Sequence, residues 1–389
     1  MKVLCSVGLG VGMTLVACSG RYDVGFEPVS GGSAGTTSNN NDNNSSSDSN
    51  AAGSKPQGMA GSVSAGGSGS AGASVGVGGA TEPAPMLRCN YSPLGNAAVP
   101  TDVASSAELA ARVYRFLDAS EAPSDVQLPR TPSAAWAAKL ATAILDAHAA
   151  ANTEAPGLVR FLSSWLPQPQ EPSPMLAAHT WGKKLVAANA TLGTLLSEPT
   201  GKPHRFGILT EPDVLTVRTR ITTRGTWMMK SVFCREVPAP PIGIAALDPQ
   251  PPAGMTYREQ LQADMVNPSC QSCHVLTDPP GDSLEHFDAA GNYRELDNGQ
   301  PVDASATMSN PSFTFNDFDS LAPQLATSCD AAQCLGTSLF KDALAAGLAQ
   351  ANVTIDDSEG NQVASQFAEA DFSIRALVKA IVTSPSFVR

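Results

Sequence analysis

The chain is short of basic residues. It carries 24 Lys and Arg against 36 Asp and Glu, a formal net charge of −12 at pH 7. Nucleic-acid binding needs concentrated Lys and Arg to neutralise phosphates, so no nucleic-acid partner is expected. An acidic surface suits an exported protein that must stay soluble. Long apolar runs are missing too. The apolar stretch at residues 3–16 falls short of the roughly 20 residues that a spanning helix needs. There is one C-x-x-C and no His-x-x-x-His, whereas a structural zinc site takes about four ligands in tetrahedral array. The acidic run Asp356-Asp357-Ser358-Glu359-Gly360-Asn361 lacks the alternating ligands and distal Glu of an EF-hand and reads as a solvated loop.

What is present is one constellation, Cys270-Gln271-Ser272-Cys273-His274. C-x-x-C-H is the attachment sequence for c-type haem. Two thiols on one turn bond the two vinyl groups, and an imidazole one residue later reaches the iron. Cys270 and Cys273 are therefore the candidate haem-bonding thiols, His274 the candidate proximal ligand, and haem c the implied cofactor. A disulfide or a redox dithiol would use the same two cysteines. A thioredoxin-like dithiol should open a helix after a βαβ strand. Here residues 256–267 read as helix, with Tyr257, Leu261 and Met265 on one face.

Two residues compete for the sixth iron position. Met308, the only methionine downstream of the motif, would supply a thioether and raise the potential. His286 would give bis-imidazole ligation and a lower potential. Met308 would serve equally as a core methionine. A haem enzyme such as a peroxidase would need an open distal side and a polar distal group, which the sequence does not show.

The N-terminus points to export. Met1-Lys2 and the short apolar stretch read as a signal peptide. Leu15-Val16-Ala17-Cys18 resembles the bacterial lipobox, which implies residues 1–17 as a lipoprotein signal peptide and an acylated Cys18 as the new N-terminus. Each buried acyl methylene contributes about 0.8 kcal/mol of membrane anchoring. Ser19 rather than Asp follows, which implies the outer membrane. Residues 18–85 are rich in Gly, Ser, Asn and Ala. Such a stretch cannot bury enough apolar surface to offset its conformational entropy and reads as a disordered tether. Gly31-Gly32-Ser33-Ala34-Gly35 within it matches the nucleophile-elbow pattern without the strand-to-helix turn that motif needs.

Of eight cysteines, Cys5 leaves with the signal, Cys18 takes lipid, and Cys270 and Cys273 take haem. Cys89, Cys234, Cys329 and Cys334 remain, an even set that suits two disulfides in an oxidising compartment. Spacing favours Cys329 with Cys334 and Cys89 with Cys234, among three possible connectivities.

The fold class expected is mainly α. A multi-helix domain (86–236) is followed by a Pro-rich connector (237–254), a cytochrome-c-like haem segment (255–310) and a C-terminal helical domain (311–389). Residues 107–117 set Leu109, Val113, Phe116 and Leu117 at helical spacing, and residues 133–150 and 158–166 repeat the pattern. Residues 206–221 are rich in β-branched side chains and predict an extended segment. His148 and His179 read as surface or satisfied histidines. Arg218, Arg220, Arg224, Lys230 and Arg235 form a cationic cluster, read as ordinary ion pairing in preference to a surface for haem propionates or an acidic partner. Asp297-Asn298-Gly299-Gln300 predicts a type I′ turn joining residues 293–296 to 301–304 in a small β-hairpin. Helices are predicted near residues 338–348 and 373–384, the latter ended by Pro385.

Taken together these segments resemble the cytochrome-c-associated domains of unknown function found in exported proteins of planctomycetes and myxobacteria. The resemblance runs through Leu109-Ala110-Ala111-Arg112-Val113-Tyr114-Arg115-Phe116-Leu117, Phe206-Gly207-Ile208-Leu209-Thr210 and Arg224-Gly225-Thr226-Trp227. It continues through the haem motif, Asp278-Pro279-Pro280-Gly281, Leu284-Glu285-His286-Phe287-Asp288 and the closing helix before Pro385. It implies a monohaem c-type protein with no established reaction. Asp282 stands where the family tends to have an aromatic residue, and His286 where asparagine is usual. The expected function is an outer-membrane-anchored electron-transfer lipoprotein, a carrier rather than a catalyst, working with a redox partner protein. The alternative is a surface binding or scaffold lipoprotein whose haem motif is structural or vestigial.

Overall fold

In the computed structural model the structure describes residues 89–91, 103–169, 175–239, 250–265, 268–350 and 353–389. The expected signal peptide (1–17), the expected acylated Cys18 and the expected tether (18–85) lie outside these residues. All described residues belong to one compact unit, Gly79–Arg389.

The chain is mainly helical, as expected. It runs α1 (Ser106–Leu117), α2 (Ala134–Ala151), α3 (Pro156–Trp165), α4 (Leu176–Leu185), α5 (Leu192–Ser197), α6 (Pro212–Leu215), α7 (Ile221–Ser231), α8 (Tyr257–Asp264) and α9 (Pro268–Asp282). Two hairpins follow, β1 (Leu296–Asp297) with β2 (Gln300–Pro301) and β3 (Ala306–Ser309) with β4 (Ser312–Phe315). The chain closes with α10 (Phe318–Leu325), α11 (Cys329–Gly347), α12 (Asp357–Glu369), α13 (Ile374–Val382) and α14 (Pro385–Val388).

Local chemistry sets the helix ends. The Ser105 and Ser373 hydroxyls accept from the Glu108 and Ala376 amides and start α1 and α13. The stripes read from the sequence then face inward: Leu109, Val113, Phe116 and Leu117 on α1, and Ile374, Leu377, Val378 and Ile381 on α13, are all buried. α1 packs on α2, α3 and α11, while α13 packs on α2 and α12. One apolar core therefore includes residues from Cys89 to Val388.

The first hairpin turns where predicted, but its ladder is confined to Leu296 opposite Pro301 and Asp297 opposite Gln300 instead of running over residues 293–296 and 301–304; Tyr293 bridges Phe287 instead. Asn298 and Gly299 both have positive φ, 49° and 82°, as a type I′ turn requires. The second hairpin turns at Asn310-Pro311 and places Met308 opposite Phe313.

Three further expectations are corrected. Residues 206–221 are not extended. They form a 3-10 turn at Ile208–Thr210, then α6, and Ile221 opens α7. Their β-branched residues Ile208, Val214 and Ile221 fill core positions, so burial overrides strand propensity. Gly207, at φ 59°, lets the chain pass the Leu196 carbonyl, where a Cβ would lie 2.5 Å from the oxygen. The acidic run from Asp356 is not a loop but the start of α12. Asp356 accepts from the Ser358 and Glu359 amides, and Asp357 and Glu359 sit favourably at the positive end of the helix dipole.

The disulfides pair Cys89 with Cys329 and Cys234 with Cys334, not Cys329 with Cys334. Both of the latter residues belong to α11. Five positions apart on a helix they point roughly 140° away from each other, so each reaches a different segment. No helix among the described residues is long and apolar enough to cross a membrane.

Candidate functional site

The haem-motif residues lie on α9. Cys270 and Cys273 are three positions apart, and His274 is four beyond Cys270, so helical geometry brings them onto neighbouring positions of one face. All three are half-buried. Among the described residues, Cys270 and Cys273 are the free cysteines; the other four are in disulfides.

A close helix crossing builds the surroundings of His274. α9 lies against α7 at two glycines. A Cβ on Gly225 would come within 1.6 Å of the Thr277 carbonyl oxygen, and one on Gly281 within 2.0 Å of the Ile221 carbonyl oxygen. This approach joins Thr222, one turn before Gly225, to Asp278, one turn before Gly281. The Thr222 hydroxyl donates to Asp278 Oδ1 at 2.8 Å. His274 Nδ1 donates to Asp278 Oδ2 at 2.8 Å, and Thr222 Oγ1 lies 3.4 Å from the same nitrogen. With the ring proton on Nδ1, Nε2 carries the lone pair that a metal would take. Burial raises the pKa of Asp278, and the hydrogen bond from His274 is the largest opposing effect.

The chain after α9 is held by a buried arginine. Arg224 on α7 donates to the carbonyls of Arg218 (2.8 Å), Leu284 (2.8 Å), Phe287 (2.7 Å) and Asp288 (2.9 Å). Burial pushes its pKa down to about 10, with Glu285 the largest opposing charge. Arg294 binds Glu285 at 3.0 Å and also pairs with Asp297. Asp282 is buried, with Arg258 Nε 3.4 Å from Oδ1. Burial, opposed by Arg258, pushes the Asp282 carboxyl up to about 8.

The distal candidates lie in different settings. Met308 is buried at 3% exposure in the apolar core, on a strand packed against α9. His286 is half-buried; its Nδ1 donates to the Arg294 carbonyl at 2.9 Å, and its ring stacks on Tyr293, which stacks on His204. His148 is satisfied by Asp118 and Thr153, and His179 by Glu154. The cationic cluster is in part ordinary pairing: Arg224 is buried, and Arg235 meets Asp330 at 2.5 Å. No group of three or more His, Cys, Asp and Glu side chains that could hold a metal ion occurs among the described residues.

Asp278, Thr222 and the carbonyl-binding role of Arg224 were not evident from the sequence. The four-residue spacing from His274 to Asp278 becomes a signal once the motif is known to be helical. Thr222 has no local signal at all.

Against known proteins, the family model PSCyt3, described as a protein of unknown function (DUF1588), matches residues 205–297. That span includes Arg205, α6 to α9 with Cys270, Cys273 and His274, Thr222, Arg224, Asp278 and the strand β1. No curated protein and no solved structure matches.

Proposed function

We propose that the chain is an exported monohaem c-type electron-transfer lipoprotein. The observation that carries this is the α9 face: two free thiols beside an imidazole whose Nδ1 is occupied by Asp278 and whose Nε2 is left for a metal. That donor set fits haem c, since covalent attachment takes two thiols and ligation takes a neutral imidazole nitrogen. A free dithiol alone would have no need of a carboxylate-oriented histidine one residue on. When bound, the haem supplies a reversible one-electron iron centre. Cys270 and Cys273 hold the group to the helix, and His274 binds its iron on the proximal side. Met308 or His286 takes the distal side, with Met308 preferred.

Export is supported by Leu15-Val16-Ala17-Cys18 and by the two disulfides, which belong to an oxidising compartment. Acylated Cys18 then anchors the chain to the outer membrane, and the electron passes to or from a redox partner protein. Optical spectra of protein exported with c-type maturation machinery test the reading. Dithionite should sharpen visible bands reversibly; a protein without visible absorbance contradicts it. Labelled fatty acid should enter the wild type and not Cys18→Ser, and equal labelling of both removes the anchor.

A further inference from the structure

We infer that Asp278 and Thr222 are positioning residues that set how strongly His274 donates to the haem iron. Asp278 lowers the reduction potential, and Thr222 moderates that effect. The inference rests on the haem reading above and adds residues outside the C-x-x-C-H motif to it.

The geometry is a relay of three side chains from two helices. The Thr222 hydroxyl donates to one oxygen of Asp278, and His274 Nδ1 donates to the other, both at 2.8 Å. Ligating histidines commonly donate their second N–H to a carboxylate or a backbone carbonyl, which fixes the tautomer and raises ligand basicity. A carboxylate is the stronger acceptor of the two, because the hydrogen bond is charge-assisted. It draws the Nδ1 proton toward itself and leaves more electron density on Nε2. That density stabilises the ferric state over the ferrous, so the potential falls. Asp278 is only 8% exposed, so water and salt screen the effect little.

Thr222 acts on the same carboxylate in the opposite sense. Its O–H takes part of the charge on Oδ1, which makes Oδ2 a weaker acceptor for His274. The contact exists because Gly225 and Gly281 let α7 and α9 approach to backbone distance. A purely structural tie between the helices would use the same hydrogen bonds but would leave the iron unaffected. The two roles therefore separate on the potential rather than on stability.

The test is a spectroelectrochemical titration of the intact holoprotein and two variants. Asp278→Asn keeps the shape and removes the charge. It should shift the ferric–ferrous equilibrium at least about tenfold toward ferrous, a rise of about 59 mV for one electron. Thr222→Val removes one hydrogen bond and no charge, so the field of a charge alone predicts no change; the relay predicts a smaller shift in the opposite direction. Where Asp278→Asn fails to mature, the Thr222→Val potential decides by itself. Haem-loaded variants at the wild-type potential would overturn the relay and leave the haem reading standing. A wild type that carries no haem would overturn both.

Discussion

Gly225 and Gly281 face each other across α7 and α9, and each takes the place a methyl group would need against the partner's backbone. A Cβ on Gly225 would meet the Thr277 carbonyl oxygen at 1.6 Å, and a helix backbone cannot yield that distance by rotating a side chain. Gly225→Ala should therefore separate the helices and cost about 3 kcal/mol or more, at or above the upper end of ordinary overpacking. Gly336 on α11 is the control: its Cβ would find the nearest atoms at 3.6 Å. Gly336→Ala should be neutral or stabilising by up to about 1 kcal/mol, from better helix propensity. Urea unfolding of both variants checks the contrast, and equal costs would refute it.

Asp282 predicts a pH dependence. Burial raises its carboxyl from 3.8 to about 8. Between those values the folded chain holds a proton that the unfolded chain has lost, so its contribution to stability is complete below about pH 4 and is lost as pH rises toward 8. One such group gives a slope of at most about 1.4 kcal/mol per pH unit. Glu285 and Asp278, also raised by burial, act in the same direction. Asp282→Asn should flatten the fall in unfolding free energy between pH 5 and 8; an unchanged slope would show that Asp282 is ionised in the folded state.

The disulfide pairing is open to direct mapping. Peptides from the unreduced protein should join Cys89 to Cys329 and Cys234 to Cys334. The first closes a separation of 240 residues and fastens the Cys89–Tyr91 segment to α11, where the Tyr91 hydroxyl also donates to the Cys329 carbonyl at 2.8 Å. Replacing both Cys89 and Cys329 by Ser should cost about 2–5 kcal/mol. A Cys329–Cys334 peptide would contradict the fold of α11.

The distal ligand can be tested without confusing ligation and packing. Met308 is a core residue, so Met308→Ala would cost about 2–5 kcal/mol whether or not its sulfur binds iron. Met308→Leu keeps most of the volume. It should admit cyanide or carbon monoxide to the iron and lower the potential, while His286→Ala should change neither. Unaltered spectra and potential in Met308→Leu would exclude thioether ligation.

Much of the scaffold was legible in local pattern. The apolar stripes of α1 and α13 and the Asn298–Gly299 turn follow from periodicity and from the positive φ that the turn demands. The segment 206–221 misled because Ile, Val and Thr favour strands only when no stronger packing demand exists. Here Pro212 opens α6, and Ile221 and Met228 are buried on α7, whose close contact with α9 holds it helical. The Asp356 run misled because acidic residues at a helix start look like a solvated loop until the amides they cap are known. The disulfides and the Thr222–Asp278 contact join residues far apart in sequence, and no local spacing encodes them. At the candidate site, Cys270, Cys273 and His274 stand out in the sequence because they lie within five residues of one another. Their supporting residue on α7 does not.

The most direct test of the central claim is covalent haem at Cys270 and Cys273. The wild type, exported together with c-type maturation machinery, should be boiled in detergent and stained for haem on a denaturing gel beside the double Cys270→Ser, Cys273→Ser variant. The account predicts a haem-stained band for the wild type and none for the variant. A wild-type band without haem, from cells that mature a control cytochrome, would contradict it.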